Sequence, residues 1–328
     1  MSASKVRKII HECNSETQPL NILTFPTHER YETQLCKTGH NFYSLEVNGG
    51  KTWNSEQTKV PENYNIINAH NFPRYIDFDL ILVHSKISQY NVALKINDTL
   101  GLPIAVVDHI MPTSNFSKQH IDQLNSMVGN VNIYITEHSK KAWGSQHPSL
   151  VINHGIDAET FCDRQETRDN SVLTIANDFI NRDYCLNFTL WKNVTEEFQT
   201  TVRGDTEGLS TAAKSTEELV DEYNKHSIYL NTTSDSPIPM SLLEAMSCGC
   251  AVVSSATCMI PEVIKNGVNG FVSNDAEELK EYIRTLMKDQ GLARELGQKA
   301  RETVMNMFSE KLFIDRWNQV FQDVKGIL

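Results

Sequence analysis

The sequence predicts an α/β protein built from two open-sheet domains, and three observations predict it. The chain has 328 residues, and domains usually hold about 100–200. Short, continuously apolar runs alternate with helical stretches, as in a parallel sheet covered on both faces. A polar interval, Asp157–Asn170, then interrupts the pattern before it resumes.

The first strand is Leu20–Phe25, which runs into Pro26 and the polar loop Thr27-His28-Glu29-Arg30. A short helix, Tyr31–Lys37, stops at Gly39, since glycine commonly follows a helix end. Strands follow at His40–Val47, Asp79–His84, Ile104–Val107, Val131–Thr136 and Leu150–Asn153, with a helix at Gln89–Leu100. After the linker come strands at Val172–Ala176, Ile228–Asn231 and Ala251–Ser254. Helices are expected at Met240–Ser247, from Pro261, and over Glu277–Lys288 and Leu292–Met307. The tail, Lys311–Val324, places Leu312, Phe313, Trp317, Val320 and Phe321 on one helical face. The expected boundaries are 1–160 for the first domain, 161–310 for the second and 311–328 for a terminal helix. In open sheets of this kind, ligands lie at the carboxyl ends of the strands, so the site is expected between the two domains.

Composition excludes several classes. Hydrophobic residues make up 40% and charged residues 22%, an ordinary globular balance. No run approaches the roughly 20 apolar residues of a membrane span, and the polar first 20 residues do not read as a signal peptide. A cytoplasmic protein is the expectation. The seven cysteines form no C-x-x-C pair and show no zinc spacing, so they are expected as reduced thiols without a metal. The formal charge of −11 does not favour indiscriminate binding to nucleic acid, although a local basic groove would be compatible with it. No G-x-G-x-x-G follows a strand, which argues against a dinucleotide-dependent dehydrogenase.

The most informative stretch is Asn231–Asn274. A strand ends near Asn231, and a loop with Pro237 and Pro239 leads to a helix starting near Met240. Unpaired backbone N–H groups and partial positive charge at such a helix start make an anion site. Glu244 lies one turn inside, where a carboxylate reaches ribose hydroxyls. Periodicity alone would make this one more unit of a sheet.

The residues say more. Leu242-Leu243-Glu244-Ala245-Met246, Gly249, Pro261-Glu262-Val263-Ile264 and Asn266-Gly267-Val268-Asn269-Gly270-Phe271 follow one another in order, and Asn153-His154-Gly155-Ile156-Asp157 closes the first half. This series resembles the retaining glycosyltransferases of the GT-B fold, in particular the large family 4 group. The resemblance implies two Rossmann-like domains facing a central cleft, with the C-terminal helix packing back toward the first. It also implies a nucleotide-diphosphate sugar as donor, expected to be a UDP-sugar, with no bound cofactor and no metal. Glu244 matches the family glutamate that contacts the donor ribose.

Two departures stand out. The family has a second acid eight positions before Glu244, and that position is Ser236 here, with Asp235 one place out. Pro237 and Pro239 replace family glycines, which leaves backbone N–H groups at Ile238 and Met240 for donor contacts. The family also places an Arg and a Lys after the first strand of the second domain. Here Arg182 is the first base after that strand and Lys192 the next, so these two are the candidates for the diphosphate.

In the first domain, Pro103–Val107 leads to Asp108-His109, resembling the strand that ends in the active-site histidine beside the transferred sugar. The loop His28-Glu29-Arg30 occupies the acceptor-side position. Asp77-Phe78-Asp79 imitates a metal-binding D-x-D but immediately precedes an apolar strand, and so reads as the loop leading into it.

The details of Thr24–Glu32 and Ser236–Met240 look most like glycosyltransferases encoded by tailed bacteriophages. That likeness implies a hydroxymethyl-pyrimidine in phage DNA as the first acceptor to consider, and the cytoplasm of a host cell as location. Phosphate contacts would come from Lys5, Arg7, Lys8, Arg30, Arg74, Lys86, Lys140 and Lys141. A surface glycan or lipid-linked precursor is the second acceptor. A non-catalytic nucleotide-binding module and a nucleotide-sugar epimerase are the remaining readings.

Overall fold

The computed structural model describes residues 18–47, 49–55, 58–112 and 116–325. The first sheet holds seven strands: β1 Asn21–Thr24, β2 Asn41–Leu45, β3 Tyr64–Ile67, β4 Leu80–Val83, β5 Ile104–Asp108, β6 Val131–Tyr134 and β7 Leu150–Val151. All pair in parallel, in the order β3-β2-β1-β4-β5-β6-β7. The second sheet holds β8 Asp169–Ile175, β9 Thr200–Arg203, β10 His226–Asn231, β11 Ala251–Ser254 and β12 Phe271–Val272. It is also parallel, in the order β12-β11-β10-β8-β9. The central strands β4, β10 and β11 are buried along their whole length, as expected for sheets covered on both faces.

The helices follow in chain order. The first sheet carries α1 Glu29–Cys36, α2 Tyr90–Leu100, α3 Lys118–Ser126 and α4 Glu137–Trp143. The second carries α5 Asp183–Leu186, α6 Phe188–Thr195, α7 Thr216–Lys225, α8 Met240–Ser247, α9 Ile260–Val263, α10 Ala276–Lys288 and α11 Gln290–Met307. The terminal helix is α12 Glu310–Lys325.

The chain passes between the two sheets twice, and the crossings touch. Ile156 donates its N–H to the Phe308 carbonyl (2.7 Å), and Glu310 N–H returns to the Ile156 carbonyl (3.2 Å). Lys37 reaches Asp157 and Glu310 beside them. From there α12 buries Phe313, Trp317, Val320, Phe321 and Val324 against the first-sheet core of Leu20, Ile22 and Tyr31. The terminal helix of the chain therefore completes the core of its first half. Leu312, expected on the same apolar face, is 38% exposed, because the buried stripe runs one position further along the helix.

The structure departs from the expected elements in other places, and β9, β12, α4, α5, α6 and α7 were not expected. β3 was not expected: only its first and last residues are buried, so it shows neither helical nor strand periodicity. α3 has a single buried residue, Leu124, and no apolar stripe to reveal it. The helix from Pro261 ends at Val263, where the Asn266–Gly270 turn takes over. Asp157–Asn170, expected as the interdomain linker, packs on the second sheet. Phe161 is buried, and Arg168 donates to the carbonyls of Tyr223, His226 and Cys248, fastening the segment to the second sheet. Asp169 and Asn170 already belong to β8.

One glycine governs the packing behind α8. A Cβ on Gly297, in the middle of α11, would stand 2.1 Å from the Gly249 carbonyl oxygen, a backbone atom that cannot move aside cheaply. Gly297→Ala is therefore expected to destabilise the protein by about 2–3 kcal/mol through overpacking, despite alanine's helix preference of about 1 kcal/mol. Thermal unfolding of the variant measures the balance, and an unchanged or raised midpoint would show that α11 has room to shift.

Candidate active site

The site is assembled from strand ends. His84 follows β4, His109 follows β5 and His154 lies just beyond β7, while His28 precedes α1 at the end of the β1 loop. Tyr31, on the first turn of α1, stands among them. Its ring lies edge-on to His109 at 4.6 Å and to His84 and His154 at 5.8 Å. His28 packs edge-on to His109 at 5.3 Å. His84 Nδ1 and His109 Nε2 are 3.1 Å apart and share one hydrogen bond. Tyr31 is held from behind, where Trp317 Nε1 of α12 donates to its hydroxyl (3.2 Å).

Burial sets the protonation of this cluster. Desolvation disfavours the charged imidazolium and lowers the pKa of His109 well below the ordinary 6.5; His84, His28 and His154 add to the effect. His84 falls to about 3 and His154 to about 4 by the same cause. His109 is accordingly a neutral imidazole at physiological pH, able to give or take one hydrogen bond rather than act as a fixed charge.

Gln89 ties two of the loops together. Its carbonyl accepts N–H bonds from His84 (2.9 Å) and Ser85 (3.1 Å), and its amide donates to Thr27 Oγ1 (2.8 Å) and the Pro26 carbonyl (3.2 Å). Glu32 supports the same loop by accepting Thr27 N–H (3.1 Å), and burial raises its carboxyl to about 7. Beside His109, a cavity of about 120 Å³ is lined by Thr27, His28, Lys86, Asp108, Leu124 and Trp143. Lys86 and Asp108 form a buried ion pair in its wall (2.9 Å), with the ammonium 5.8 Å from the Trp143 ring and 6.0 Å from that of Tyr134. A larger groove of about 790 Å³ lies among Val47, Phe72, Arg74 and Leu100, and none of the four clustered histidines lines it.

The second domain faces these loops with α8. Pro239 stands at the start of this helix, and no side chain caps it. Glu244 is buried, with Tyr223 donating to Oε2 (2.9 Å). Burial pushes its carboxyl pKa upward, against the pull of the Arg30 guanidinium and the Tyr223 hydroxyl. Arg30 Nη1 reaches from the first domain to Glu244 Oε1 (2.5 Å), so this ion pair spans the cleft.

The sequence-predicted residues are thus brought together only in part. His109 and His28 meet at one wall and Glu244 at the other, while Arg30, expected on the acceptor side, crosses to Glu244. Glu29 is buried and committed to Lys51 (2.9 Å) and to Asn54 N–H (3.1 Å). Ser236 is half-buried in the loop before α8, and the Ile238 side chain belongs to the second-domain core. Met240 opens α8 and packs against the same core. Arg182 is exposed and turns back toward the Asn177 carbonyl (3.5 Å), and Lys192 is exposed in the last turn of α6. His84 and His154 were not singled out from the sequence. The available signal was a histidine just beyond an apolar strand, repeated at three places.

Lys86, a candidate phosphate contact, is buried on Asp108, because it lies inside the strand-end loops rather than on a face. Arg74 and Lys141 are exposed, and Lys140 donates to the Ser149 carbonyl. Lys5, Arg7 and Lys8 lie outside the described residues. In Asp77-Phe78-Asp79, Phe78 is buried and Asp79 accepts Asn21 N–H (2.8 Å), a structural use of the carboxylate. Among the described residues no group of three or more acidic, His or Cys side chains has the arrangement of a metal site. The six described cysteines are free thiols. Among the described residues no helix is long and apolar enough to cross a membrane.

Comparison with known proteins bears on this arrangement. Residues 210–303 match the model for glycosyl transferases group 1. Sucrose-phosphate synthase from Thermosynechococcus elongatus superposes with a TM-score of 0.74 at 12% identity, over 94% of this chain and 100% of that one. HepE from Anabaena, solved with UDP and glucose, superposes with a TM-score of 0.73 at 14% identity, over 93% and 100%. The fold is GT-B.

The group 1 glycosyl transferase match lies on the half of this GT-B chain that carries Glu244. Two curated relatives share part of the same chain. One is N-acetyl-alpha-D-glucosaminyl L-malate synthase of Bacillus anthracis, 33% identical over 85 residues, which are 25% of this chain and 22% of that protein. The other is alpha-maltose-1-phosphate synthase of Mycolicibacterium smegmatis, 33% identical over 98 residues, 27% and 25% of the two chains. The matched stretch thus spans about a quarter of each relative's length.

Proposed function

We propose that the protein transfers a sugar from a nucleoside-diphosphate sugar to a hydroxyl acceptor. The observation that carries this reading is the cleft itself, with buried Glu244 and the uncapped start of α8 on one wall and neutral His109 on the other. In this reading Glu244 accepts the donor's ribose hydroxyls, and the first amides of α8 face the diphosphate, where helix charge favours an anion. The sugar then lies against His109, with the Lys86–Asp108 pair in the adjoining pocket wall. UDP is the nucleotide first in line, since HepE was solved with it.

We read the reaction as retaining, as the resemblance to retaining glycosyltransferases implies, with the acceptor attacking the face that the phosphate leaves. The acceptor oxygen bonds to the anomeric carbon as the carbon–phosphate-oxygen bond breaks. The acceptor's proton passes to the departing phosphate oxygen. The protein supplies position and charge stabilisation, which are large terms in their own right.

For the acceptor, a hydroxymethyl-pyrimidine in DNA stands beside a glycan or lipid-linked hydroxyl. The placement of the cations favours the glycan, because Lys86 is buried and Arg30 is paired across the cleft, so that neither is a free phosphate contact among the described residues. The test is to incubate the protein with a panel of nucleotide sugars and three acceptors: duplex DNA with hydroxymethylcytosine, unmodified duplex, and a mixture of oligosaccharides. Digested nucleosides and intact glycans are then weighed by mass spectrometry. A sugar-sized gain on a glycan is the expected result, and a gain on the modified base alone would assign the DNA acceptor instead. Nucleotide release with no gain on any acceptor would remove this acceptor range.

A further inference from the structure

We infer that Arg30, a residue of the first domain, is the cation that takes the donor's diphosphate. The inference rests on the proposed function, since it uses Glu244 as the ribose contact and His109 as the sugar contact. Arg30 lies two residues after His28, whose ring packs on His109, and its guanidinium reaches Glu244. It therefore occupies the path from one wall of the cleft to the other. A diphosphate joining a ribose at Glu244 to a sugar at His109 must follow that path.

The charges around the cleft point the same way. Lys51 is held by Glu29 and the Thr27 carbonyl, and Lys86 by Asp108. Arg203 is held by Glu222. Arg182 and Lys192, the bases expected on the diphosphate, are exposed, and the recorded Arg182 contact returns to its own loop. Arg30 differs from all of these. Its carboxylate partner is the group that the ribose would occupy. Ribose binding at Glu244 competes for Oε1 and turns the guanidinium toward the phosphates, where its planar N–H fork pairs with two oxygens. The same movement couples donor binding to the approach of the two domains, because the arginine belongs to one and the carboxylate to the other.

Nucleotide binding separates this role from its alternatives without requiring an acceptor. Arg30→Met keeps the aliphatic stem and removes the charge, and Arg30→Lys keeps the charge and removes the fork. Each protein would be titrated with whichever of UDP, GDP, ADP and dTDP the wild type binds most tightly, and with the matching nucleoside. The expected result is at least tenfold weaker diphosphate binding by Arg30→Met, nucleoside binding within about threefold of wild type or tighter, and partial recovery in Arg30→Lys. Equal changes for nucleoside and diphosphate, in either direction, would show that Arg30 acts only by competing for Glu244, and would overturn the inference. Unchanged diphosphate binding in a folded variant would overturn it as well, while leaving the proposed function intact. A wild type that binds none of the four nucleotides would overturn both. Thermal unfolding of each variant shows that it is folded.

Discussion

Glu244→Gln is expected to lower kcat/KM by about two orders of magnitude, chiefly through donor binding. Glu244 is 1% exposed, yet both of its oxygens are used, by Arg30 and by Tyr223. A buried carboxylate accepts hydrogen bonds more strongly than an amide, at about 1.5–3 kcal/mol against about 0.5–1.5. Two ribose hydroxyls moving from a carboxylate to an amide therefore lose about 2–3 kcal/mol, and about 1.4 kcal/mol is tenfold. The amide also turns an N–H donor toward the Arg30 guanidinium or the Tyr223 hydroxyl, so one partner is left unsatisfied. Calorimetric titration with the nucleoside diphosphate reads the affinity, and steady-state rates read the remainder. Affinity within twofold of wild type would remove Glu244 from the donor site.

The second large effect is on acid stability. His84 and His154 have native pKa values of about 3 and about 4, and His109 lies well below 6.5. In the unfolded chain all three titrate near 6.5, so below that pH the unfolded state binds more protons than the native state. Stability therefore rises with pH in this window: it is fully present above 6.5 and is lost as pH falls toward 4. Each such proton is worth about 1.4 kcal/mol per pH unit. Glu32 runs the other way. Its native carboxyl, near 7 against 4.5, binds a proton that the unfolded state has released, so its contribution is lost as pH rises from 4.5 to 7. The three histidines outweigh Glu32, so stability is expected to fall as pH drops from about 5.5 to about 4.5. Urea denaturation at half-unit pH steps is expected to show this slope, flatter in His84→Gln and steeper in Glu32→Gln. A flat profile from pH 6.5 to 4.5 would mean that the histidines are solvated in the native protein.

How much of this was legible in the sequence depends on the range of the interaction. Met240–Ser247 and Ala251–Ser254 form as expected residue for residue, because a proline at the helix start, a glycine turn at Gly249 and a fully buried strand are all local signals. β3 and α3 carry too few buried residues to produce a period. The site divides in the same way. His109 and Glu244 were singled out through the resemblance of their segments to family motifs, and the structure sets them on facing walls. The pairing of Arg30 with Glu244 joins residues 214 positions apart, and nothing local to Arg30 distinguishes an acceptor loop from a cross-cleft contact. Tyr31 and Trp317 meet across 286 positions, so the support that α12 gives the histidines was equally out of reach.

The central claim is that this cleft is a nucleotide-sugar site, and a crystal structure with the tightest-binding nucleoside diphosphate tests it most directly. The account predicts ribose hydroxyls within hydrogen-bond distance of Glu244, with the diphosphate at the start of Met240–Ser247 and its far end directed at His109. A nucleotide seated outside the cleft, or in the groove beside Arg74 with Glu244 untouched, would contradict it.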